Sequence, residues 1–176
     1  MASDQNDNIE RKLSITKVLF EECPSLERLL QIYLAELSVY SPIKKSSAGE
    51  FVYPYLQTYW QNSTRYPYFI RLNENICGFA LVREDMDPEN GNKIMDLAEF
   101  YIAKDFRRLN LGSRIAEMLW DLYPSNWRLS VLKKNETALL FWSEMINRYT
   151  KGKFELVNND HDTSIIYYFD SRLLCT

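Results

Sequence analysis

Histidine is nearly absent from this chain. His161 is the only one in 176 residues, and it falls in the polar stretch "NNDHD", which reads as a turn. An imidazole-built zinc site therefore lacks its materials, and no metal is expected. Cysteine is scarce as well: Cys23, Cys77 and Cys175 are odd in number and far apart, so neither a disulfide framework nor a CxxC pair can be read from them. Long apolar runs are missing. Stretches such as Ala138-Leu139-Leu140-Phe141-Trp142 fall far short of the roughly 20 residues that span a bilayer. Neither sign of charge dominates, and a formal net charge of -3 gives no reason to expect nucleic acid or an anionic membrane as a partner. The amino terminus, "MASDQNDNIERK", is polar and acidic, the opposite of a secretory signal, and residues 1–11 read as a frayed tail. These absences lead to the expectation of a cytoplasmic protein.

What is present is core-forming material. Hydrophobic residues make up 46% of the chain, enough for a core of its own, and no repeat or Pro/Gly/Ser-rich linker divides it. Residues 1–176 are expected to form one domain. "KLSITKVLF" (12–20) reads as a strand. In "PSLERLLQIYLAEL" (24–37) the apolar residues recur at helical spacing, with Pro24 and Ser25 as start signals. A second, shorter helix is expected over 51–60. "YPYFIRL" (66–72) and "ICGFALV" (76–82) form a hairpin about "NEN". The polar "EDMDPENGN" (84–92) then leads to a long strand, "KIMDLAEFYIA" (93–103). Leu111, Ile115, Met118, Leu119 and Leu122 mark a helix, "WRLSVL" (127–132) a strand, and Ala138, Phe141, Trp142, Met145 and Ile146 another helix. "KFELV" and "TSIIYYF" close the chain as a hairpin. The order β-α-α-β-β-β-α-β-α-β-β predicts an α/β (α+β) protein with a mixed, mostly antiparallel sheet of six or seven strands and about four flanking helices. The strand-helix-strand passage after residue 93 requires one parallel pair.

"FRRLNLGS" (106–113) joins the long strand to the helix that follows. A helix begins with amide hydrogens that have no internal acceptor, and its dipole puts partial positive charge there. A phosphate can use both if the backbone approaches closely. Glycine usually permits that approach. Here Asn110 takes the first such place, being the non-glycine residue most at ease in left-handed geometry. Gly112 keeps the second bare, and Arg107 and Arg108 add positive charge. Further on, Asn135 stands before a helix with Glu136 in its first turn, a natural N-cap.

Arg107-Arg108-Leu109-Asn110-Leu111-Gly112 resembles the R/Q-x-x-G-x-G/A signature of the Gcn5-related N-acetyltransferase (GNAT) superfamily. Asn135 to Trp142, "NETALLFW", resembles that family's N-x-x-A-x-x-F/L-Y element. The two cover about the last half of the chain, whereas the first half matches in order of elements alone. The resemblance implies a GNAT-like fold and acetyl-coenzyme A as acyl donor. It implies coenzyme A contacts from Phe100, Tyr101 and Ile102 on the strand and from Arg107, Arg108, Leu109, Asn110, Leu111, Gly112 and Ser113 in the loop. Asn135, Ala138, Phe141 and Trp142 join them from the last helix. It also implies a bulge in the long strand, an oxyanion donor at the Ile102 amide, and an acceptor entrance flanked by the region of Tyr53, Tyr55, Tyr59, Trp60, Tyr66 and Tyr68.

Direct transfer to an amine needs a base, because an alkyl ammonium has a pKa of about 10.4. Glu99 is the first candidate, since it interrupts the apolar centre of "LAEFYIA"; Asp96 is the runner-up. On a regular strand the two face opposite ways, and the implied bulge would change that phase. Trp142 stands where many relatives carry an acidic tyrosine. Its indole donates a hydrogen bond but gives up no proton near neutrality. Tyr101 is a substitute acid or a packed strand aromatic. The leading expectation is an N-acetyltransferase acting on a small-molecule or peptide amine, as a monomer or as a homodimer through an exposed C-terminal edge at "TSIIYYF". The alternative, suggested by Trp142, is a non-catalytic coenzyme A-binding regulatory module of the same fold.

Overall fold

The computed structural model describes residues 12–174; the tail expected over 1–11 and Cys175 lie outside them. In chain order the regular elements are β1 (Leu13–Lys17), α1 (Cys23–Leu37), α2 (Thr58–Gln61), β2 (Arg65–Leu72), β3 (Asn75–Met86), β4 (Lys93–Ile102), α3 (Leu111–Leu122), β5 (Asn126–Leu132), α4 (Glu136–Thr150), β6 (Phe154–Val157) and β7 (Ser164–Asp170). Helix α1 carries Pro24 in its first turn, where a missing N–H costs nothing, and buries Cys23, Leu26, Leu30 and Leu34 along one stripe. The β2–β3 hairpin turns on Asn73, which takes a left-handed φ of 55°.

Two expected elements change. The helix predicted over 51–60 shrinks to the single turn Thr58–Gln61. Pro54 explains this: the residue before a proline is driven to extended backbone, and Phe51 instead bridges to Lys45 as a strand fragment. Strand β3 also continues to Met86, through the start of the expected polar connection, because Arg83 to Met86 find partners in Lys93 to Asp96 on β4.

The seven strands run in the order β1-β2-β3-β4-β5-β7-β6. Every neighbouring pair is antiparallel except β4–β5. Strand β7 lies between β5 and β6, bonded to both. The expectation that "TSIIYYF" is an exposed edge is therefore wrong; Tyr167 and Phe169 are buried, and the edge falls to the short β6. Helices α1 and α2 cover one face, where Leu26, Leu30 and Tyr59 pack on Phe69, Phe79 and Leu81. On the other face, α3 and α4 set Ile115, Leu119, Trp120, Met145 and Ile146 against Ala80, Val82, Leu97, Trp127 and Leu129.

Candidate active site

The site begins with an irregularity in β4. Leu81 pairs with Glu99 but its neighbour Val82 pairs with Leu97, so Ala98 is an extra residue without a partner. That bulge resets the alternation. Asp96 and Glu99, three apart, both turn to the face covered by α1, while Leu97 and Phe100 turn to the face covered by α3 and α4. At the same point β4 and β5 separate: they pair only through Met95–Trp127, Asp96–Arg128 and Leu97–Leu129. Beyond Leu97 a cleft of about 330 Å³ opens between them. Its walls include Tyr33 and Leu37 of α1, Ala98, Glu99 and Phe100 of β4, Leu129 to Leu132 of β5, and Asn135, Ala138 and Trp142. Among the described residues, Glu99 and Tyr33 are the only titratable side chains lining it.

The two candidate bases have opposite surroundings. Asp96, 5% exposed, accepts from Arg83 Nε at 2.6 Å and from Arg128 Nε at 3.2 Å. Arg128 also donates to Asp85 at 2.7 Å. Both oxygens of Asp96 are therefore occupied by cations, and it does not line this cleft. Glu99 forms no ion pair among the described residues. Tyr33 Oη donates to its Oε2 at 2.6 Å, and the Tyr53 hydroxyl faces the same carboxylate. Burial pushes Glu99 up from 4.5 to about 7; the two tyrosine hydroxyls pull it down, Asp96 adds a further upward push, and Arg83 a downward one. Such a carboxylate changes charge near neutral pH. Burial together with the Glu99 charge drives Tyr33 far above the ordinary phenol value, so it is a fixed donor to Glu99.

Tyr33 is the site residue that sequence reasoning missed. It lies within the apolar stripe of α1, where a tyrosine reads as one more core side chain. Of the aromatics expected at an entrance, only Tyr53 faces Glu99. Tyr59 is buried in the core, and Trp60 Nε1 is bonded to the Val18 carbonyl. Tyr66 and Tyr68 turn to the opposite face and pack on Tyr123. Tyr55 is exposed.

The loop before α3 takes the expected shape. Asn110 is left-handed at φ 57° and forms the N-cap of α3, and Arg108 is left-handed at φ 62°. Among the described residues, no backbone amide from Arg108 to Ser113 donates to another main-chain group. These six amides at a helix start are thus without main-chain acceptors, which fits a pyrophosphate. Arg107 does something else: it donates to the Ile102 carbonyl at 2.8 Å and to Glu36 of α1 at 2.7 Å, over the ring of Tyr101. Its charge is already matched, which leaves Arg108, unpaired among the described residues, as the open guanidinium of the loop. Gly112 has a second reason to be bare. A Cβ there would lie 3.1 Å from the Phe141 ring, so the glycine lets α4 close against α3.

Asn135 is the N-cap of α4, its Oδ1 accepting from the Ala138 amide at 3.1 Å, and it lines the cleft as well. Trp142 packs edge-on to Phe100, 5.2 Å between centroids, and walls the cleft. Tyr101 does not line it. Its hydroxyl donates to Glu36 at 3.1 Å, and burial followed by the Glu36 charge pushes it up to about 12. Its hydroxyl is thus committed to Glu36, outside the cleft lining. His161 is exposed in the β6–β7 turn.

The model of the acetyltransferase (GNAT) family matches residues 26–145, which contain the bulge, the loop and Trp142. No curated protein matches the sequence. Solved structures do match in fold. An acetyltransferase from Thermus thermophilus agrees at TM-score 0.68 and 17% identity, over 90% of this chain and 97% of its own. An aminoglycoside acetyltransferase from an uncultured soil metagenomic sample agrees at TM-score 0.60 and 13% identity, over 85% and 95%. Arabidopsis thaliana Naa50, in complex with the bisubstrate analogue CoA-Ac-MVNAL, agrees at TM-score 0.55 and 15% identity, over 89% and 96%.

Proposed function

The chain belongs to the acetyltransferase (GNAT) family, and from that premise we propose that it transfers an acetyl group from acetyl-coenzyme A directly to an amine. The observation that carries the proposal is a single cleft with Glu99 on its α1 side and the α4 start, Phe100 and Trp142 on the other. The amides from Arg108 to Ser113 hold the pyrophosphate, with Arg108 as counter-charge. Main chain over Phe100 to Ile102, where β4 has parted from β5, bonds the pantetheine arm in the manner of an added strand. The Ile102 amide is assigned to the oxyanion.

Glu99 takes a proton from the arriving ammonium. The freed amine attacks the thioester carbonyl, the C–N bond forms, the C–S bond breaks, and the second proton on nitrogen passes through solvent to the departing thiolate. No side chain is assigned as acid. Trp142 walls the channel, and a thiol of pKa about 8.5 leaves as thiolate without one. Asp96 is not assigned as base, since its lone pairs face Arg83 and Arg128.

Thiol release from acetyl-coenzyme A with Glu99→Gln tests the proposal. Loss of a general base lowers kcat/KM by roughly 10²–10⁴, while thermal stabilisation by coenzyme A stays as in the natural protein. Full turnover in Glu99→Gln would remove the assignment. The second reading, a coenzyme A-binding module without catalysis, draws on the absence of an acid at Trp142 and Tyr101. It predicts stabilisation by coenzyme A with no thiol release on any amine.

A further inference from the structure

The acceptor side of the cleft has a composition that selects among amines. On the α1 side its wall is Tyr33, Leu37, Ser41 and Ile43, apolar apart from two hydroxyls, one of them already given to Glu99. Among the described residues, Glu99 is the only carboxylate in the whole lining, which contains no lysine, arginine or histidine. One proton acceptor thus faces one incoming ammonium. A second or third ammonium on the same acceptor would be desolvated against leucine and isoleucine with no counter-charge in the lining, which disfavours its binding.

On the α1 side the neighbouring segments do not supply that counter-charge. Glu36 lies one residue before Leu37, but its oxygens are bound to Arg107 at 2.7 Å and to the Tyr101 hydroxyl at 3.1 Å, with Lys104 at 4.0 Å. Beyond Ile43 the loop 44–50, "KKSSAGE", carries two lysines and one glutamate, a sum of +1, with Lys44, Lys45 and Glu50 all exposed. A polycation approaching from that side meets a positive loop and then an apolar wall. An acceptor with an apolar group beside its amine meets complementary surface.

Resting on the transferase reading above, we infer that the acceptor is an amine of single positive charge with an apolar group next to the amine-bearing carbon, and not a polyamine or aminoglycoside. That chemistry is shared by aryl- and alkylamines and by peptide amino termini that begin with an apolar residue.

The test is kcat/KM for thiol release from acetyl-coenzyme A with the full chain and four acceptors: phenylethylamine, a leucine-initiated tripeptide amide, spermidine and kanamycin. The two monoamines are expected to exceed spermidine and kanamycin by about tenfold or more, and their order relative to each other separates a small-molecule source from a peptide one. Ile43→Asp should raise spermidine severalfold relative to phenylethylamine. Lys44→Glu, at an exposed position, should do the same in smaller measure, so the expectation survives if Ile43→Asp folds poorly. Spermidine or kanamycin as the preferred acceptor would overturn the inference while leaving direct transfer intact, and so would unchanged ratios in both variants. Turnover of none of the four, with stabilisation by coenzyme A retained, would overturn the inference and the transferase reading together.

Discussion

Asp96 and Glu99 stand on one strand, face one side, and differ by a single methylene, yet their surroundings are opposite. Below the Ala98 bulge, β4 is zipped to β5 and Asp96 sits between two arginines. Above it the strands part and Glu99 meets only tyrosine hydroxyls. A buried carboxylate held between two arginines braces the sheet. A buried carboxylate with only neutral donors is poised to gain and lose a proton. The difference lies in what the neighbouring strands supply: β3 and β5 bring Arg83 and Arg128 opposite Asp96, while Leu81 is what stands opposite Glu99.

The largest stability effect should come from the braced side. Asp96→Ala leaves Arg83 without its closest partner and takes from Arg128 one of its two, with Arg128 only 15% exposed. Losing one member of such a network costs about 3–5 kcal/mol, read as a fall in the denaturant midpoint. A loss below about 1 kcal/mol, the scale of an exposed pair, would mean that Asp96 is not a brace, and the contrast with Glu99 would collapse.

The next effect has the opposite sign. Glu99 is raised from 4.5 to about 7 in the fold, so between those values the folded chain holds a proton that the unfolded chain has released. Stability therefore falls as pH rises through that window, and above about pH 7 the whole cost of the buried charge is present. Glu99→Gln removes that charge. It should stabilise the protein at about pH 8 by on the order of 1–3 kcal/mol and should be close to neutral at about pH 4. Melting curves at the two pH values check this; a variant destabilised at the higher pH would mean that the carboxylate is better satisfied than its partners indicate.

Local geometry was legible in the text and long-range pairing was not. Asn110 and Asn135 each answer a demand made by the next few residues, a left-handed helix start and an orphan amide, and both are found in those conformations. The arginine pair before Asn110 was legible only as charge. That Arg107 would bind Glu36, 71 residues away, depends on how α1 lies across the sheet, which no spacing encodes. Tyr33 hid in a helical stripe for the same reason. The closing hairpin could be read from its alternation and turn, but its insertion beside β5 could not, because strand order depends on which edge the rest of the sheet leaves open. The bulge falls between these cases. "LAEFYIA" alternates well enough alone, and only likeness to a known fold gave reason to expect a shifted phase.

Tyr33→Phe makes the finest separation of the two carboxylates. The substitution keeps the ring that packs against Phe79 and Tyr101 and removes only the hydroxyl that donates to Glu99. That bond favours the ionised carboxylate, so its loss raises the Glu99 pKa further. The acid limb of kcat/KM against pH should move upward by about one unit, with the plateau at high pH nearly unchanged, since deprotonated Glu99 is still in place. A purely structural role for Tyr33 would lower activity at every pH without moving the limb. If Asp96 were the base, the profile would not shift either, because its partners are Arg83 and Arg128 and Tyr33 is bonded to Glu99 instead. A displaced acid limb at a constant plateau therefore identifies the carboxylate above the bulge as the one that takes the proton.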